Sequence, residues 1–211
     1  DSEAGVLLLH GGEQMGNYFG DSWLYSSASG KWQELKSTTA AAVYRSPCGR
    51  IGHSSCSLGD GRALIFGGMS VSDEQGPVYM NDLWLFELSH DKTTGMWVPL
   101  DMISGIAPSP RDRAAMCRAE DGSILILGGF GYCVSSDEGA EDAEDNVTET
   151  YLHDTWKVPV AKVTGVTADG RPQTAFIDHS GSPVTPQYTQ LHSADGSTCE
   201  PIGRAAGATA A

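Results

Sequence analysis

Ala63-Leu-Ile-Phe-Gly-Gly68, followed fourteen residues later by Asp82-Leu-Trp84, is the stretch on which the fold turns. A continuous apolar run of four residues that ends in paired glycines fits a strand covered on both faces, and the glycines permit close backbone approach at its end. The turn residues Gly59-Asp-Gly61 stand just before it, as a hairpin requires. From Asp82 to Leu88, Leu83, Leu85 and Leu88 alternate with Trp84 and Phe86, so large side chains face both ways.

The same order of features recurs on either side. Val6-Leu-Leu-Leu-His-Gly-Gly12 precedes Asp21-Ser-Trp23, and Ile124-Leu-Ile-Leu-Gly-Gly129 precedes Asp154-Thr-Trp156. Arg50 and Arg111 each stand 17 residues before the first glycine of their copy and 6 before a cysteine, Cys56 or Cys117. Arg204, followed by Ala205-Ala-Gly-Ala-Thr-Ala210, reads as the opening of another copy. The glycine pairs are 56 and 61 residues apart, a spacing that means repeated supersecondary units. Small residues over Arg50 to Leu58 suit an inner strand where neighbouring units converge, and Trp32 and Trp97 mark outer strands.

This pattern resembles the kelch repeat, in which a double glycine is followed by a Tyr and a Trp with six residues between them, as at Tyr25 and Trp32. In the second copy Phe86 takes the tyrosine position and ten residues precede Trp97; in the third, Val158 takes it and the outer strand is assigned to Tyr188–Leu191. The resemblance is weak from Pro159 to Pro186. It implies an all-β, kelch-type β-propeller of about three four-stranded blades. One domain over residues 1–211 is expected, with blades at about 5–36, 50–100 and 111–194 and the start of a further blade at about 203–211. Closed propellers have about 4 to 8 blades, so the chain reads as a partial propeller or as half of a ring.

Composition narrows the partners. With 27 acidic and 13 basic residues the net charge is −14, which opposes binding to nucleic acid or an anionic membrane. No apolar run approaches membrane-spanning length, and residues 1–3 do not read as a secretory signal. Five cysteines without CxxC spacing suggest thiols and a cytoplasmic protein. Asn146-Val-Thr148 is a glycosylation sequon that matters only in a secreted chain.

The loops joining second and third strands, Glu13–Gly20, Met69–Asn81 and Gly131–His153, vary most and are the natural recognition elements. The third carries Asp137, Glu138, Glu141, Asp142, Glu144, Asp145 and Glu149, read as a solvated, mobile insertion, with contact to a basic partner or a cation as the alternative. In peptide-binding kelch propellers an Arg two residues after the strand-opening Arg can grip a carboxylate at the channel mouth, and Arg113 matches that position, whereas the second copy has Gly52. Arg50, Arg111 and Arg204 are read as structural, tying neighbouring loops together.

The histidines at 10, 53, 90, 153, 179 and 192 show no ligand spacing, and His10 is expected to be a buried, hydrogen-bonded imidazole. No catalytic motif is visible, and no cofactor or metal is implied. The reading is therefore a non-enzymatic scaffold that binds a protein partner through its blade-connecting loops, with two copies closing a six-bladed ring as one mode of assembly. The alternative is the propeller domain of an enzyme resembling galactose oxidase, with its active site outside this segment.

Overall fold

The computed structural model describes residues 5–35, 46–72, 76–100, 107–134, 147–166, 172–177, 180 and 182–192. Arg204, Cys199, the Asn146 sequon start, the acidic stretch from Asp137 to Asp145 and the further blade at 203–211 lie outside these residues. The described residues form antiparallel strands and no helix.

The strands run β1 (Val6–His10), β2 (Glu13–Gln14), β3 (Asn17–Tyr18), β4 (Ser22–Ser26), β5 (Lys31–Glu34), β6 (Ser54–Gly59), β7 (Arg62–Ser72) and β8 (Gly76–Leu88). They continue with β9 (Gly95–Pro99), β10 (Arg111–Asp112), β11 (Ala115–Arg118), β12 (Ile124–Val134) and β13 (Val147–Val158), then β14 (Val160–Val166), β15 (Pro172–Ile177) and β16 (Thr189–His192). They pair into two two-stranded sheets, β2-β3 and β14-β15, and three larger ones: β1-β4-β5, β6-β7-β8-β9, and a third in which β10 and β11 both pair with β12, followed by β13 and β16. The three larger sheets are the blades expected, with three strands described in the first, four in sequence order in the second and five in the third, where β10 and β11 share one side of β12.

Between β6 and β7, Asp60 (φ 52°) and Gly61 (φ 73°) occupy the two central positions of the hairpin turn, the left-handed pair that a type I′ turn requires. Thr189–His192 pairs with β13 as the outer strand of the third blade. The weak region before it holds an extra hairpin, β14-β15, which buries Val160 and Phe176 in the main core.

Two expectations need correction. The segments read as loops at Met69–Asn81 and Gly131–His153 are in large part ladder: Met69 pairs with Tyr79, and Phe130 to Val134 pair with Tyr151 to Val147. The alternation of aromatic and β-branched residues on both sides sustains pairing beyond the glycines, which act as a register-shifting bulge between Phe66 and Gly68 and between Leu127 and Gly129. Blades two and three thus each carry a projecting hairpin arm. The second correction is that Cys133 is disulfide-bonded, while Cys48, Cys56 and Cys117 are free thiols.

Packing follows the alternation read in β8. Leu83 and Leu85 join Leu64 and Phe66 against Ile124, Ile126, Trp156 and Val158 of the third blade, in one core that also holds Val160 and Phe176. Trp84 and Phe86 face the other way, with Ile65 and Trp97, toward Leu8 and Leu35 of the first blade. One central blade therefore serves two cores.

Candidate functional site at the arms of blades two and three

Each arm rises from a buried ionic clamp. The Arg50 guanidinium is fully buried and donates from Nη1 to the Gly67 carbonyl (2.9 Å) and to Asp82 Oδ1 (2.7 Å), from Nη2 to Asp82 Oδ2 (2.8 Å) and from Nε to the Cys48 carbonyl (3.1 Å). Arg111 repeats this with the Gly128 carbonyl (3.0 Å), both oxygens of Asp154 and the Ser109 carbonyl (2.9 Å). In both copies the carboxylate also accepts the indole N–H two residues on, Trp84 or Trp156, at 2.6 Å. The arginines read as structural hold three segments of one blade together through their side chains. Burial opposes ionisation of Asp154, but its hydrogen bonds to Arg111 prevail and hold its carboxyl below the usual range.

Their main chains reach the preceding blade. Gly12 N–H donates to the Arg50 carbonyl at 2.9 Å. A Cβ on Gly67 (φ 62°) would stand 2.5 Å from the Arg111 carbonyl. A Cβ on Gly11 would likewise stand 2.5 Å from the Arg50 carbonyl, so the glycine pair is the point where the next blade touches.

Arg113 lies at the foot of the third arm. Its residue has a left-handed backbone (φ 54°), pinned by a hydrogen bond from its N–H to the Gly52 carbonyl at 2.6 Å, a conformation that costs a non-glycine residue about 1–3 kcal/mol. Its side chain is 65 % exposed. Nε donates to Asp112 Oδ2 at 3.0 Å and the guanidinium carbon lies 5.5 Å from the centre of the Phe130 ring. Gly52, at the matching position of the second copy, faces Asp112: a Cβ there would lie 3.1 Å from Asp112 Cβ and Oδ2.

Around Arg113 stands an aromatic cluster that the sequence reading did not single out. Tyr79 on the second arm meets Tyr132 (5.0 Å between ring centres) and Phe130 (6.1 Å) on the third, and Phe130 meets Tyr151 across the strand pair at 5.2 Å. Tyr79 is buried, Phe130 and Tyr132 are half-buried, and Tyr151 is 68 % exposed. Glu149 is paired with Tyr132 across the same hairpin. Burial and then Glu149 push the hydroxyls of both Tyr79 and Tyr132 above the ordinary tyrosine range; Asp112 adds to the effect at Tyr79 and Arg113 opposes it. The spacing Phe130-x-Tyr132 opposite Glu149-x-Tyr151 would have located the cluster had the segment been read as strand.

Elsewhere, two histidines that are 43 positions apart come together between the first and second blades. His10 is buried; its Nδ1 shares a 2.9 Å hydrogen bond with Ser22 Oγ, which also accepts the Trp97 indole N–H at 3.0 Å. The His10 and His53 rings are 5.8 Å apart. Burial, then His53 and Arg50, lower the His10 pKa to about 4, and burial and Arg50 lower that of His53. Both line a cavity of about 480 Å³ between the blades. Among the described residues no group of three or more His, Cys, Asp or Glu is placed to hold a metal ion.

Known sequences resemble this chain over most of its length. The family described as the KLHDC2/KLHL20/DRC7 Kelch-repeats domain matches residues 1–175. The chain belongs to the kelch-repeat family. Host cell factor 1 of Rattus norvegicus is 29% identical over 148 residues, 65% of this chain and 7% of that protein. Host cell factor 2 of Homo sapiens is 27% identical over 134 residues, 59% and 16% respectively. An F-box/kelch-repeat protein of Arabidopsis thaliana is 25% identical over 150 residues, 69% of this chain and 30% of the other. The kelch chain thus spans under a third of these curated relatives. The solved structure of YjhT aligns with a TM-score of 0.44 at 12% identity, over 82% of this chain and 52% of that one.

Proposed function

We propose that this kelch chain is a protein-interaction scaffold whose recognition surface is the aromatic and arginine patch at the arms of blades two and three. Membership of the kelch-repeat family supports a binding role in general, and the patch supports its location. Tyr, Phe and Arg dominate the energetics of protein interfaces, and here they form a contiguous surface, with Tyr151 and Arg113 largely exposed, on arms rooted in buried clamps. Arg113 keeps its outer nitrogens Nη1 and Nη2 free of partners among the described residues while Asp112 fixes its Nε, an arrangement suited to gripping an incoming oxygen. The test is capture of partner proteins by the purified chain and by a Phe130→Ala/Tyr151→Ser variant. Loss of a specific partner with an unchanged melting temperature is expected; equal capture by the variant rejects this surface.

A second reading concerns assembly. Leu7, Leu9 and Trp32 on the first blade and Leu127 and Leu191 on the third are exposed, as faces awaiting a neighbouring blade would be. We infer that a second copy covers them in a six-bladed ring. Light scattering on the eluting species should give twice 22.3 kDa; a monomeric mass rejects the ring of two copies.

A further inference from the structure

Charge around the arm surface points to the chemistry of what it holds. The Arg113 guanidinium lies over the Phe130 ring, and Asp112 offsets its charge at 3.0 Å. Glu149 stands across from Tyr132 on the same hairpin; burial first, and then the Glu149 charge, raise the hydroxyl pKa values of Tyr79 and Tyr132. Beyond Val134 and before Val147 the sequence adds Asp137, Glu138, Glu141, Asp142, Glu144 and Asp145, with no Lys, Arg or His among them. The whole chain carries −14.

An acidic partner would approach this surface against Glu149 and the field of the whole chain, and the Arg113 charge that would attract it is offset by Asp112. A basic one is drawn in. Ring faces of tyrosine attract ammonium and guanidinium groups, and Tyr151, with 68 % of its surface exposed, offers such a face beside Phe130.

We propose that the segment held between the two arms bears lysine or arginine side chains, which lie on the tyrosines and pair with Glu149. This rests on the reading of the arms as a partner-binding surface. Arg113 then serves main-chain oxygens of the bound segment rather than its charged groups.

Random dodecapeptides displayed on phage and selected on the immobilised chain provide the test. Enriched sequences should be rich in Lys and Arg, and a synthetic copy should bind at least tenfold more weakly to a Glu149→Gln/Tyr151→Ser variant with an unchanged melting temperature. That variant removes one unit of a net charge of −14, so attraction to the acidic chain at large would change less than twofold. Acidic or uncharged peptides that lose binding with Tyr151→Ser overturn the basic partner and leave the arm surface standing. Peptides of any charge that ignore both substitutions overturn this proposal and the surface together, as does failure to enrich any peptide over a blank support.

Discussion

Arg111 and Asp154, 43 residues apart, meet in a two-pronged ion pair whose guanidinium is fully buried and whose carboxylate is 12 % exposed; Arg50 and Asp82 repeat it with the carboxylate 38 % exposed. Removing one partner of a buried pair strands the other charge at a cost of about 3–5 kcal/mol. Asp154→Ala should lose that much stability in urea, and Asp82→Ala distinctly less, because water reaches the Arg50 pair more readily. Equal losses would mean that the accompanying carbonyl contacts, and not the ion pairs, hold the blades.

The junction of blades one and two should weaken in acid. His10 has a folded-state pKa of about 4 against about 6.5 when unfolded. The unfolded chain therefore binds the proton first, and stability falls as pH drops from about 6.5 to about 4, by roughly 3 kcal/mol for this group. His10→Phe installs the residue that the second blade has at this register, Phe66. Chemical denaturation at pH 7 and pH 4.5 should show a smaller acid loss in that variant, and an unchanged loss would clear His10 of responsibility.

Gly67→Ala should be far more damaging than a turn glycine's replacement. Gly67 combines a left-handed φ of 62° with a Cβ site 2.5 Å from the Arg111 carbonyl and 2.9 Å from the Met80 carbonyl, whereas Gly30 (φ 65°) has open space. Gly30→Ala should cost about 1 kcal/mol for its backbone conformation alone, and Gly67→Ala at least ~2 kcal/mol more. Thermal melts of the two variants compare them directly.

Thiol chemistry offers a separate check. Under denaturing, non-reducing conditions Cys48, Cys56 and Cys117 should take up iodoacetamide and Cys133 only after reduction. Peptide mass mapping reads each site. Alkylation of Cys133 without reduction would contradict the disulfide.

The blades were legible in the sequence because each of their features is local: an apolar run, a turn such as Asp60-Gly61, alternation through Leu83 to Phe86. Register matching even exposed the structural arginines, since Arg50 and Arg111 recur at a fixed distance from the glycines. The arms were not legible, because paired glycines read as a strand end when they are a bulge, and Pro77 and Ser72 look like loop residues. The meeting of Tyr79 with Phe130 and Tyr132 depends on how two blades stand beside each other, which no local pattern encodes. The same holds for His10, His53 and the Trp97 contact to Ser22, 75 residues away. The β14-β15 hairpin lay where no repeat template applied.

The glycine bulge between Phe66 and Gly68 has a consequence for engineering. Below it, Phe66 is locked in the core; above it, the ladder from Met69 to Tyr79 continues beyond the buried clamp. A designer could therefore transplant the outer portion of one arm, between Ser70 and Val78, as an exchangeable cassette, much as antibody loops are swapped on a fixed framework.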